Sequence, residues 1–293
     1  MKSCPRLSNL KPINQHGSVS ESAFKDHFSK QAADYAKFRP RYPQELFDYL
    51  GKIAPSRQLA WDCGTGNGQA AMGLASVFNR VIATDASEKQ IANAARHERV
   101  EYRVAPAENS GIKSETLDLI MVAQALHWFD LDRFYAEARR VLKPDGILAA
   151  SAYKFFHITP KIDQVVNHRY YDKVVGPFWP PERELVEKFD GLHFLFPEIK
   201  TPSFEMTAQW NLEHLVGYLR SWSATQRFIA ANQRDPLDEI ADDLRAAWGD
   251  TKRKHYVVWP LTLRIGVNDM PKPRRRSYPR TPRRRKAFRC ARR

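Results

Sequence analysis

The segment QLAWDCGTGNGQ, residues 58–69, leaves few folds open to this chain. An apolar run, Leu59–Cys63, breaks into Gly64, Gly66 and Gly68 and passes straight into a helical pattern from Gln69. Glycines let the backbone turn sharply and sit close to a ligand where a Cβ would collide. A helix that starts there presents unpaired N–H groups and a partial positive charge. That setting suits a nucleotide-like group.

The flanking pattern extends this unit into a sheet. Phe24, Phe28, Ala32, Tyr35 and Ala36 fall at helical spacing, and Pro40 ends that helix near Arg39. Pro43 opens a second helix, Gln44–Ile53. After the glycine turn the pattern predicts helix 69–78, strand 81–84, helix 87–97 capped by Ser87, strand 100–104 and strand 117–123. Helix 132–141, a turn at Lys143–Gly146 and strand 147–152 follow. The fourth strand is almost wholly apolar, as in a sheet covered on both faces. Five strands alternating with helices indicate a parallel α/β sheet. Beyond Tyr153 the pattern is mostly helical and rich in aromatics. Two β-like runs, 203–210 and 255–265, suit an antiparallel pair at the sheet edge. The chain thus divides into a disordered lead-in (1–22), a cofactor-binding core with an N-terminal lid (23–153), a substrate-side helical insertion with closing strands (154–265) and a disordered basic tail (266–293).

Charge matters only once it is located. The formal net charge is +14, but residues 266–293 hold 12 Lys and Arg against one Asp, which leaves +3 for residues 1–265. Any electrostatic case for nucleic acid therefore rests on the tail. The tail reads either as a polyanion-binding element or as charge without a purpose. Cys4, Cys63 and Cys290 are sparse and lack metal-ligand or redox spacing, and no metal is expected. No run has signal-peptide or membrane-span character, so a cytoplasmic protein, monomeric or homodimeric, is expected.

The glycine turn departs from two known cradles. A dinucleotide turn wants a small residue where Gln69 stands, and the phosphate-cradling G-x-x-x-x-G-K-[ST] is absent. Asp62, two residues before the first glycine, would repel a pyrophosphate and favour a cation such as an amino-acid ammonium. Asp85, at the end of the second strand, suits ribose hydroxyls.

DCGTGNGQ, then Asp85, then Ala107-Glu108, then QALHWFD after the fourth strand resembles the class I S-adenosylmethionine-dependent methyltransferases. The branch most resembled is the small-molecule one that includes trans-aconitate methyltransferase-like proteins. FKDHFSKQAADYAKFRPRYP, RRVLKPDGILAA and WPLTLRIG carry the likeness further, over about residues 24–265. The resemblance implies an α/β, doubly wound, Rossmann-like, mostly parallel seven-stranded sheet with an antiparallel edge hairpin and a helical insertion. It implies S-adenosylmethionine as the cofactor. Gly64, Thr65, Gly66 and Gly68 would wrap its methionine part, which Asp62 orients. Asp85 would bind the ribose, Ala86 would lie against the adenine, Ala107 and Glu108 would sit at the adenine edge, and Gln124 would face the sulfonium.

The acceptor would enter beyond the fourth strand. His127 reads either as a base or acceptor-binding donor, or as a packed loop histidine. Trp128 suits a pocket wall. Tyr35 and Arg39 belong to the lid, and Arg39 would hold an acceptor carboxylate or make a plain salt bridge. Trp222 either lines the acceptor pocket or packs in the core. The expected activity is methyl transfer to a carboxylate or hydroxyl oxygen of a small molecule. The alternative is an RNA methyltransferase that binds its substrate through the tail.

Overall fold

The computed structural model describes residues 40–153, 155–181 and 183–269. The lead-in, the expected helix ending at Arg39, the lid residues Tyr35 and Arg39, and residues 270–293 of the expected tail lie outside the described residues, while the first two tail residues, Gly266 and Val267, belong to the last strand.

The seven strands are β1 (Leu59–Cys63), β2 (Arg80–Asp85), β3 (Val100–Val104), β4 (Leu117–Ala123), β5 (Leu142–Tyr153), β6 (Phe204–Trp210) and β7 (His255–Val267). They form one sheet in the order β3-β2-β1-β4-β5-β7-β6. The pairs from β3 to β5 are parallel, while β7 runs antiparallel to both β5 and β6. The two β-like runs of the second half thus make the antiparallel edge. Val258 exchanges both backbone bonds with His157 on the side facing β5. Pro260, two residues on, turns its missing N–H to the same side, beyond the last β5 pair, Tyr153 with Leu261.

Both faces of the sheet are covered, which explains the unbroken burial of Leu117–Val122. One face packs on α1 (Gln44–Ile53), α2 (Gln69–Ala75) and the aromatic helical region after β5. The other packs on α4 (Leu131–Val141) and the Phe189–Phe196 segment. Each fully buried Leu or Phe here, such as Leu74, Leu119 and Phe134, contributes about 1.5–3 kcal/mol.

Three local expectations change. Helix 69–78 stops at Ala75, and the chain leaves it through tight turns that bond Val77 and Phe78 to the Leu74 carbonyl. Helix 87–97 shrinks to α3, Glu88–Ala92, although Ser87 does cap it. The Ala95 N–H bonds the Asn67 carbonyl, so the chain is drawn off the helix axis toward the glycine turn. The turn at Lys143–Gly146 is no separate element: β5 starts at Leu142, and a register shift lets it run through the turn. Asp145 sits there at φ +64°, its N–H bonded to the Asn268 carbonyl.

Candidate active site

The strand order reverses between β1 and β4, and ligands of open α/β sheets bind at the carboxyl ends of strands at such a point. The glycine turn leaves the end of β1. Its three glycines have different reasons to be glycine. All have positive φ, +71° at Gly64, +56° at Gly66 and +89° at Gly68. A Cβ on Gly64 would lie 2.5 Å from the Cβ of Ala125. A Cβ on Gly68 would strike the Tyr102 hydroxyl. A Cβ on Gly66 would meet nothing within 4 Å. Gly64 and Gly68 thus serve packing between elements, and Gly66 alone borders open space.

Two carboxylates flank the turn. Asp62 is fully buried, and its Oδ2 accepts the Thr65 hydroxyl at 2.5 Å. Its Oδ1 has no hydrogen-bond partner among the described residues. Burial pushes Asp62 up to about 7, against the lowering pull of the Thr65 hydroxyl and the Ala71 amide; Asp85 adds a smaller upward push. Asp85 accepts the Gly66 N–H on Oδ2 and the Ser87 N–H on Oδ1, both at 2.9 Å. Burial raises it as well, and the two amides hold it down. Each oxygen keeps a lone pair for a further donor.

Around this pair, Ala86 is exposed beside Asp85 and Ala107 is buried beyond β3. The Glu108 Oε1 accepts the Asp130 N–H at 2.9 Å, tying that loop to the start of α4. Gln124 takes φ +57° at the end of β4, and its Nε2 donates to the Tyr153 carbonyl at 2.9 Å. Ends of β4 and β5 are thereby joined.

Beyond the end of β4, His127 is buried, with Nδ1 lacking a partner among the described residues. Burial, aided by the nearby Arg183 charge, pushes it down to about 4, so it is neutral. Trp128 lies against it at 5.0 Å between ring centroids and is half-exposed. Trp222 is buried behind Tyr171 and Trp179, at 5.9 and 5.5 Å, and is backed by Tyr170 and Tyr218. Arg183 is the residue that sequence reasoning missed. Its guanidinium lies 5.2–5.8 Å from the rings of Phe155, Tyr171 and Trp179, and its Nε donates to the Tyr171 hydroxyl at 3.0 Å. No motif surrounds it; only the clustering of aromatics hinted at a wall there.

The family model described as a methyltransferase domain matches residues 61–150, from β1 through most of β5. A methyltransferase-family protein of Dictyostelium discoideum is 37% identical over 244 residues, 78% of this chain and 90% of that protein. This chain is a class I S-adenosylmethionine-dependent methyltransferase. A candidate type II methyltransferase of Anaeromyxobacter dehalogenans, solved as a structure, is 46% identical with a TM-score of 0.75, covering 79% of this chain and 98% of that one. A Saccharomyces cerevisiae protein assigned as an S-adenosylmethionine-dependent methyltransferase is 29% identical over 140 residues, 45% of this chain and 47% of that protein. These likenesses establish the class and do not distinguish the trans-aconitate-like branch.

The methyltransferase's own residues fit its cofactor, S-adenosylmethionine. The unpartnered Asp62 oxygen is a buried acceptor that an ammonium would satisfy. Gly66 borders open space where a side chain would otherwise stand. Among the described residues no group of three His, Cys, Asp or Glu is arranged to hold a metal, and no helix is long and apolar enough to cross a membrane.

Proposed function

We propose that this methyltransferase acts on a small organic molecule, at a carboxylate or hydroxyl oxygen. The cofactor would supply a methyl group on sulfonium sulfur; its C–S bond breaks as an oxygen lone pair of the acceptor forms the new C–O bond, and the sulfur leaves as a thioether. Asp62 would orient the cofactor's amino-acid end, and Gly64, Thr65, Gly66 and Gly68 would line its approach. Asp85 would accept the ribose hydroxyls, with Ala86, Ala107 and Glu108 around the base and Gln124 near the reacting group. Residues 155–232 would supply the acceptor side.

One observation supports this reading: just beyond the end of β5, Phe155 packs on Tyr171, Tyr171 on Trp179 and Trp179 on Trp222, an aromatic cluster that would wall the acceptor site. Such a wall suits the flat apolar body of a small ligand. The protein's task there is alignment and exclusion of water. His127, neutral with its value near 4, is a weak base. An acceptor that arrives already ionised needs no stronger one. The test is incubation with methyl-labelled cofactor and separate panels of small carboxylic acids, phenols and RNA. Label in a small acid or phenol is expected. Label in RNA alone would overturn the reading.

A further inference from the structure

β3 forms one edge of the sheet, with β2 on its inner side and no strand beyond it among the described residues. Its register with β2 fixes which backbone groups face outward. The Arg99 carbonyl accepts from Val81 and the Ala105 N–H donates to the Asp85 carbonyl, so Glu101 and Arg103 turn their N–H and C=O groups to β2. Val100, Tyr102 and Val104 turn theirs outward. The Val100 N–H is taken up by the His97 carbonyl, while the N–H groups of Tyr102 and Val104 meet no acceptor among the described residues. Val104 is 54% exposed. An edge left open in this way is a template for another strand.

The residues of β3 specify which strand fits. They read Val-Glu-Tyr-Arg-Val, apolar at both ends, with an acid and a base on either side of a central tyrosine. Turned antiparallel about Tyr102, the strand meets its own copy with Val100 against Val104, Glu101 against Arg103 and Tyr102 against Tyr102. The backbone agrees with this centre, since Tyr102 turns both its groups outward, as the middle of a hydrogen-bonded antiparallel pair requires. Charges on edge strands commonly keep a second copy away. Here the reversal sets opposite charges directly across from each other, which is favourable. The Glu101 carboxylate already holds Arg103 at 2.8 Å and Arg80 at 3.2 Å on the exposed surface. The other edge strand, β6, lacks this symmetry: its sequence FEMTAQW has Glu205 and no base to answer it.

We propose that β3 docks on β3 of a second copy of this chain, antiparallel and centred on Tyr102, joining two seven-stranded sheets into one across a twofold axis. Tyr102 exchanges both backbone bonds with Tyr102 of the second copy, and the Val104 N–H of each copy reaches the Val100 carbonyl of the other. The Glu101 and Arg103 side chains of both copies close into a ring of alternating charge on one face. The strand is held ready for this: the Tyr102 hydroxyl donates to the Ala95 carbonyl at 2.7 Å, and its ring packs against Gly68, so pairing costs little freedom. A strand of five residues offers less than the roughly 1,200–2,000 Å² of a standard stable interface, so the dimer is reversible and forms at micromolar protein.

The experiment follows sedimentation of the full-length protein from about 1 to 200 µM, a range that spans a micromolar Kd. The unaltered protein is compared with Glu101→Arg, Arg103→Glu, the double exchange Glu101→Arg with Arg103→Glu, and Val104→Pro. The unaltered protein should pass reversibly from monomer to dimer. Either single reversal sets like charges across the twofold axis and should weaken the dimer about tenfold or more. The double exchange restores opposite charges and should restore the dimer. Val104→Pro removes an N–H that faces away from β2, so it should weaken the dimer while thermal unfolding of the monomer stays near that of the unaltered protein. A monomer at every concentration, as an edge covered by the chain's own termini would give, overturns the proposal. A dimer that Arg103→Glu and Val104→Pro leave unchanged also overturns it, because it assembles through another face. So does a double exchange that is folded by circular dichroism yet dimerises as poorly as the single reversals.

Discussion

Gly66 donates its N–H to Asp85 at 2.9 Å, so the carboxylate expected at the ribose also fixes the glycine turn. The end of β2 and the turn after β1 are thus one unit, and a ligand held by either feels the other. Asp85→Ala removes the carboxylate proposed for the ribose and frees two amides, those of Gly66 and Ser87. Charge-assisted hydrogen bonds of this kind are worth about 1.5–3 kcal/mol. S-adenosylhomocysteine binding, measured by calorimetry, should fall about tenfold to a hundredfold. Asp85→Asn should fall between. Unchanged affinity in Asp85→Ala would take Asp85 out of the site.

The glycines predict separable effects. Gly66→Ala meets no neighbour, so it costs only the positive-φ strain of about 1–2 kcal/mol, yet it intrudes on the open space beside the turn. Gly64→Ala adds a 2.5 Å collision with Ala125, whose Cβ cannot swing aside. Thermal unfolding should therefore drop much further for Gly64→Ala, while Gly66→Ala should lose cofactor affinity out of proportion to its Tm.

Asp62 makes both stability and binding depend on pH. Its ordinary value is 3.8, and burial lifts it to about 7 in the folded protein. Between these values the folded chain keeps a proton that the unfolded chain has released. Its contribution is therefore fully favourable below about pH 4 and is lost as pH rises to 7, a change on the order of 4 kcal/mol. Asp62→Asn stands in for the neutral carboxyl without titrating. Its Tm relative to the unaltered protein should rise between pH 5 and pH 8. Binding an ammonium requires the ionised carboxylate, so S-adenosylhomocysteine binding at pH 6 should release close to one proton. Calorimetry in buffers of different ionisation enthalpy reads this directly; no proton release would remove Asp62 from the ammonium.

A purely structural carboxylate gives the control. Asp118 is fully buried at the base of β4 and accepts the amides of Gln58 and Leu59 and the Lys143 ammonium, the last at 2.6 Å. Burial pushes it up, but Lys143, the Leu59 amide and the Ser56 hydroxyl outweigh that and hold it below the usual carboxylate range. Its stabilisation is present above the ordinary carboxylate value and is lost as pH falls through the lowered one. Asp118→Ala should cost about 2–3 kcal/mol in urea unfolding, discounted because Lys143 is partly solvated. Cofactor affinity of the folded variant should not change.

The strands, their parallel order and the glycine turn were legible because each rests on short-range signals: apolar runs, glycines and acids at strand ends. The helix ends at Ala75 and Ala92 were not, because hydrogen bonds from distant segments stopped those helices before their periodicity ran out. The roles of the glycines were legible only as a group. Which one borders open space depends on Ala125 and Tyr102, which approach from other elements.

The linear order of residues determined the class of this protein, since Asp62, the three glycines and Asp85 lie within one β-α-β stretch and their mutual placement follows from it. The aromatic cluster around Arg183 was decided only by tertiary structure. Phe155, Tyr171, Trp179, Arg183 and Trp222 come from separate segments with no fixed spacing, and a long-range fold is needed to set a guanidinium against three rings and a buried indole N–H.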